Sequence, residues 1–162
     1  GLLRGPRGSG AAPRAKQLNA TALLAAAHNL VLCGWSLAMF AGVGREVLRM
    51  HRRGDDLHFL FCAAVGTRAE GPLYYWSYVY YLSKFYELLD TAINICKGKP
   101  LTFLHVYHHC LVMLMCYLWL EEAQSMQFIG LAFNTGIHVL MYLYYFLCSV
   151  GIYPRWKVLV TQ

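Results

Sequence analysis

Charge is what this sequence has least of. Only 14% of its 162 residues are Asp, Glu, Lys or Arg, against roughly a quarter in an ordinary soluble domain. By contrast 58% are hydrophobic and 15% aromatic, and mean hydropathy is +0.40. A chain so apolar cannot stay solvated without structure, which excludes disorder. Paired cysteine spacing is missing as well. The six cysteines, at 33, 62, 96, 110, 116 and 148, mostly lie inside apolar runs and form no CxxC, so neither a disulfide scaffold nor a zinc site is indicated. The class left is an integral membrane protein. A span takes about 20 apolar residues, so there is room for four or five. The first Met is Met39 and no polar tail precedes the final Gln162, so the chain is expected to be a piece of a longer protein.

The expected architecture is an all-α polytopic transmembrane bundle. Residues 1–20, rich in Gly, Pro and Arg, read as a loop or tail, and 21–162 as the membrane domain. Four spans are predicted, at about 23–48, 73–96, 101–120 and 126–150. Between the first two lies a charged loop whose apolar run, 57–66, is too short to cross and reads as interfacial or re-entrant. With four spans, Arg4, Arg7, Arg14, Lys16, Lys97, Lys99, Arg155 and Lys157 share one side, and Arg45, Arg49, Arg52, Arg53 and Arg68 the other. The Lys/Arg excess assigns the first side to the cytosol. The net charge of +6 is then a membrane-surface feature and gives no case for nucleic acid.

The informative residues are polar ones inside predicted spans. One charge at a span's centre costs about 2.5–3.5 kcal/mol, so Lys84, Glu87 and Asp90 left unpaired would cost roughly 8–10 kcal/mol. At helical spacing Tyr80, Lys84, Glu87, Thr91 and Asn94 form one stripe, with Asp90 at its edge. A structural ion pair between Lys84 and Glu87 is one reading. The polar wall of an internal cavity is the other, favoured because Thr91 and Asn94 continue the stripe. In the next span His105, His108 and His109 fall on one face, and membrane-buried histidines point to function. In the fourth, Asn134, His138, Met141, Tyr142 and Tyr145 form a polar-aromatic stripe. His28, alone in its span, and His51 and His58 in a loop read as structural.

Two chemistries compete for the four span histidines. Imidazole binds iron and zinc, and a membrane oxygenase of the desaturase kind is conceivable, although its pattern needs more histidines than these. A mononuclear site on His105, His109 and His138 stays open. The alternative is acyl transfer, since neutral imidazole is a competent nucleophile towards a thioester, and an apolar shaft beside the histidines suits a fatty chain. An inactive fragment is a third possibility. Spacing does not choose among them.

KFYELLDT at 84–91, HVYHH at 105–109 and HVLMYLYY at 138–145 resemble, in order and at similar intervals, the KxxELxDT, HxxHH and HxxMYxYY signatures of the very-long-chain fatty acid elongases. Thr161-Gln162 resembles the opening of that family's next motif. The resemblance covers about 22–162 and implies a seven-helix protein of the endoplasmic reticulum, of which the four spans here would be the second to fifth. It implies condensation of acyl-CoA with malonyl-CoA to 3-oxoacyl-CoA, CO2 and CoA, with no metal or other cofactor. The expected partners are those two substrates, the lipid bilayer, and the reductase and dehydratase of the elongation cycle. By motif position, His108 would attack the acyl thioester, His105 and His109 would orient it and polarise carbonyls, and His138, backed by Asn134, would share the developing charge. Lys84, Glu87 and Asp90 would line a polar chamber to which Tyr142 and Tyr145 add hydroxyls. Lys97, Lys99 and Lys157 are candidates for CoA phosphates. His at 105, where family members acting on polyunsaturated chains often have Gln, implies saturated or monounsaturated substrates.

Overall fold

The structure, a computed structural model, describes residues 20–64, 66–96, 98 and 100–154. Four long α-helices account for most of them: α1 (Ala20–Arg53), α2 (Pro72–Cys96), α3 (Phe103–Glu121) and α4 (Gln127–Ser149). No strand occurs among the described residues. The predicted basic cytosolic tail falls largely on residues 1–19, which lie outside the described residues, as do Lys97, Lys99, Arg155 and Lys157.

The helix limits follow local chemistry. The first helix runs five residues beyond the predicted end at 48, because nothing in Arg49 to Arg53 breaks it. His51, Arg52 and Arg53 sit in its last turn, where cations oppose the negative end of the helix dipole. Gly54 then takes a left-handed φ of 78°, and Asp55 N–H donates to Met50 O, closing the helix with a glycine. At 34 residues and 1.5 Å per residue, α1 is about 51 Å long, so its basic end outruns a hydrocarbon core of about 30 Å. For α3, Pro100 lies outside the helix and Thr102 is the N-cap, its side chain accepting from His105 N–H. The cap thus also sets the first histidine of the triplet.

Three helices, α1, α3 and α4, are long and apolar enough to cross a membrane. α2, predicted as a fourth span, has the length at 25 residues but carries Lys84, Glu87 and Asp90 in its second half. Its faces are sorted the reverse of a water-soluble helix. Ser77, Tyr80, Ser83, Lys84 and Glu87 are buried, while Tyr78, Leu82, Phe85, Leu89 and Ile95 are exposed. A lipid environment rewards that sorting, since hydrocarbon accepts the outer face and the charges find partners within.

The helices run alternately up and down. α1 packs along α4 and α2, and α2 also packs along α3 and touches α4. At one end the start of α1 meets the ends of α2 and α4, and the start of α3 meets the end of α2, through contacts of Asp90 and Thr91. At the other end the loop run predicted as interfacial forms a 3-10 turn at Leu57–Leu60 that folds onto the α3–α4 connection. Met126 N–H donates to Leu60 O at 3.2 Å, and Ala63 N–H to Ser125 Oγ at 2.9 Å. Leu60 joins Met39, Val43, Tyr74, Phe128 and Leu131 in the buried core. Gln127 is fully buried and satisfied: Nε2 donates to Trp119 O and Gln124 O, and Oε1 accepts from Ser77 Oγ. It welds the α3–α4 turn to α2.

α1 and α2 approach closely at Gly42, where an added Cβ would strike the indole of Trp76. Gly42→Val is expected to destabilise the bundle by about 1–3 kcal/mol through overpacking, read as a lower unfolding midpoint in detergent. Gly34→Ala, on the same helix with open space around it, is expected to leave stability unchanged or raise it by up to about 1 kcal/mol.

Candidate functional site

The three signature segments meet inside the bundle. On α2 the i, i+3 spacing of Lys84 and Glu87 brings Nζ to 2.8 Å from Oε1, and both side chains are almost wholly buried, at 3% and 4% exposed. The ammonium also donates to Asn134 Oδ1 on α4 at 3.0 Å and lies 4.2 Å from the centre of the Tyr80 ring. One helical turn past Asn134, His138 presents Nδ1 at 3.5 Å from the same Glu87 oxygen. The pair predicted as either a structural ion pair or a cavity wall is thus both bonded within α2 and shared with α4. A buried pair is tolerable only when further hydrogen bonds satisfy its remaining donors and acceptors, and Asn134 supplies one of them.

A second cluster lies one turn along α2. Asp90 accepts from Tyr142 OH at Oδ2, 2.7 Å, and its Oδ1 lies 2.9 Å from His28 Nε2 on α1. Thr91 Oγ1 is 2.8 Å from His105 Nε2 on α3. His105 and His109 rings meet edge to face with centres 4.6 Å apart, and His109 and His108 at 5.8 Å. His138 and Tyr142 meet edge to face at 5.4 Å. α2 is therefore the hub, with α4 on its Lys84–Glu87 turn and α1, α3 and α4 on its Asp90–Thr91 turn.

The sequence-derived candidates fare unequally. Lys84, Glu87, Asp90, Asn134, His138 and Tyr142 form one connected region, and His105 joins it through Thr91. His109 is half-buried. His108 is exposed and makes no side-chain hydrogen bond among the described residues, while standing within electrostatic reach of Lys84, His138 and Glu87. Tyr145 is 39% exposed and touches Tyr142 and Tyr144 through its ring, at the margin of the cluster. Asn94, the far end of the predicted stripe, is half-buried. Lys97, Lys99 and Lys157 lie outside the described residues.

His28, which reads as a lone structural histidine, is 7% exposed and bonded to Asp90, a partner that the sequence reading did not name. The signal available was its position inside an apolar run, since a polar side chain in a span needs a partner; the partner's identity was not in the local pattern. Among the described residues no three His, Cys, Asp or Glu side chains gather with geometry to hold a metal. In particular His105 turns to Thr91 and His138 to Glu87, so the mononuclear set of His105, His109 and His138 does not assemble.

Beside the histidines, a groove of about 300 Å³ between α2 and α3 is lined by Leu88, Thr91, Ala92, Ile95, Val106, His109 and Cys110. It is apolar except where Thr91 and His109 face it. A groove of similar size between α1 and α4, lined by residues such as Phe40, Val43, Phe128 and Phe133, contains no titratable group.

Comparison with known proteins bears on this arrangement. Residues 8–162 match the model of the ELO (GNS1/SUR4) family. Similar curated proteins include a putative fatty acid elongase of Dictyostelium discoideum, 45% identical over 135 residues that make up 83% of this chain and 45% of that protein. Fatty acid elongase A of the same organism is 35% identical over 83% of this chain and 48% of its own length. Putative fatty acid elongase 1 of Schizosaccharomyces pombe is 37% identical over 83% of this chain and 40% of its own. The chain thus spans less than half the length of each of these relatives. No solved structure matches it.

The buried network yields a stability prediction. Lys84→Met leaves Glu87 buried with its main partner gone and is expected to cost about 3–5 kcal/mol, whereas Lys84→Met with Glu87→Leu removes both charges and is expected to recover most of that loss. Unfolding midpoints of the two variants in detergent check the order.

Proposed function

The chain belongs to the ELO (GNS1/SUR4) family, and from that membership we propose that it carries the reaction chamber of a condensing enzyme of fatty acid elongation. The reaction is acyl-CoA plus malonyl-CoA to 3-oxoacyl-CoA, CO2 and CoA. The observation that supports this best is that all three motifs meet on successive turns of α2, Lys84 and Glu87 with Asn134 and His138, and Thr91 with His105.

A neutral ring nitrogen of His108 attacks the acyl thioester carbonyl. The C–S bond breaks, CoA leaves as a thiolate, and the proton given up by the imidazole goes to that sulfur. The chain is then held as an acyl-imidazole. Malonyl-CoA loses CO2, and the electron pair left on its α-carbon attacks the acyl carbonyl. A C–C bond forms, the C–N bond to His108 breaks, and the departing imidazole takes a proton from solvent. In each step negative charge gathers on a carbonyl oxygen, and fixed donors aimed there accelerate reaction. His138, held by Glu87, and His109, steadied by His105, are the donors within the site. Lys84 keeps Glu87 in place and adds positive potential. Thr91 fixes the orientation of His105.

The groove along Leu88, Ala92, Ile95 and Val106 offers an apolar wall for the acyl chain, with His105 in keeping with saturated or monounsaturated substrates. On this reading the two CoA thioesters suffice without a metal or other cofactor. Lys97, Lys99 and Lys157 serve the CoA phosphates, and Tyr145 adds a hydroxyl at the chamber's margin. The setting is the endoplasmic reticulum membrane, where the reductase and dehydratase of the cycle take up the product.

Microsomes expressing the full-length polypeptide that contains this chain, given acyl-CoA and labelled malonyl-CoA, test the proposal. His108→Ala is expected to reduce 3-oxoacyl-CoA formation by about a hundredfold or more, as loss of a nucleophile does. Equal output from variant and wild type would refute the role of His108.

A further inference from the structure

We propose that His28 is a positioning residue for this reaction, acting through Asp90 on the hydroxyl of Tyr142; the inference rests on the condensing reading above. His28 comes from α1, the helix that contributes none of the three motifs. Its ring is buried and stacked on Tyr86, with centres 5.2 Å apart and planes 29° from parallel. Nε2 meets Asp90 Oδ1 at 2.9 Å. Nδ1 is buried without a partner. A carboxylate only accepts hydrogen bonds, so the proton belongs on Nε2, and a bare Nδ1 is the acceptor left over.

Asp90 is consequently held from two sides. His28 takes one oxygen and Tyr142 the other, at 2.7 Å. A carboxylate with one donor can turn about its side-chain bonds, whereas donors from two different helices fix its plane. That plane dictates where the Tyr142 hydroxyl sits. Tyr142 in turn packs edge-on against His138, which bears on Glu87. The chain of contacts from His28 ends in the motif histidine of α4. Without His28, Asp90 is free to swing towards the partly exposed side of its pocket, where its side chain is already 23% exposed. The Tyr142 hydroxyl and the flank of His138 would follow it.

Displacements of about 1 Å in a reacting geometry cost up to about a hundredfold in rate. The effect belongs in turnover more than in substrate binding, because His28 lies behind Asp90 and lines neither groove. A residue that merely anchored α1 would instead lower the amount of folded protein and spare the kinetics of what remained.

The test is a double-mutant cycle in the full-length polypeptide, assayed for 3-oxoacyl-CoA and normalised to detergent-extracted monodisperse protein. His28→Ala is expected to lower kcat about tenfold with KM for acyl-CoA within about twofold. His28→Gln, whose amide nitrogen reaches the same oxygen, is expected to recover kcat to within about threefold of wild type. Tyr142→Phe combined with His28→Ala is expected to be no slower than the slower single variant, since both act on one carboxylate. Losses that multiply in the double variant, a wild-type kcat in His28→Ala, or His28→Gln as slow as His28→Ala would each overturn the inference while leaving the condensing reading intact. If His28→Ala yields no folded protein, His28→Phe, which keeps a ring to stack on Tyr86 but has no donor for Asp90, takes its place in the cycle. A wild type that forms no 3-oxoacyl-CoA overturns the condensing reading and this inference with it.

Discussion

The arrangement of this bundle depends on burying Lys84 and Glu87 together. Either charge alone in the apolar interior would cost several kcal/mol. Their i, i+3 spacing lets α2 pair them before any other helix arrives. The pair still has unsatisfied capacity, and only a specific register of α4 meets it, with Asn134 on the ammonium and His138 near the carboxylate. The polar contact therefore sets which turn of α4 faces which turn of α2. Apolar packing in a lipid environment discriminates such registers poorly, because neighbouring lipid tails are as hospitable as a neighbouring leucine.

The same constraint recurs one turn away and recruits the other two helices. Asp90 draws in α1 through His28 and α4 through Tyr142, and Thr91 draws in α3 through His105. Each bond removes a buried polar group from the unsatisfied tally, and each also orients a side chain with chemical capability. Stability and preorganisation thus come from one set of contacts. His108 differs from these residues: it is exposed, and its side chain makes no hydrogen bond among the described residues.

Much of this was legible beforehand. Helical spans of sufficient length and apolarity, the turn at 121–125 and the facing stripes on three helices all follow from hydropathy and a period of 3.6 residues. The limits were less legible. α1 runs through its arginines because basic residues suit a helix C-terminus and the first true stop is Gly54. Within the run at 57–66, read as interfacial or re-entrant, Leu60 packs into the core and bonds to the α3–α4 turn, a contact no local pattern announces. His28 was obscured for the same reason: its partner is 62 residues away.

By itself the sequence determined the class of protein, all-helical and membrane-spanning, and the identity of the polar groups its helices must shelter, since these depend on composition and on spacing within one helix. It also carried the ordered motifs of the family. Tertiary structure alone decided which polar groups share a partner. It divided Asp90 between α1 and α4, gave Asn134 to Lys84, turned His105 to Thr91 and left the His108 ring without a hydrogen bond among the described residues. Those outcomes depend on distances between helices, and a chain's own periodicity holds no information about distance across a bundle.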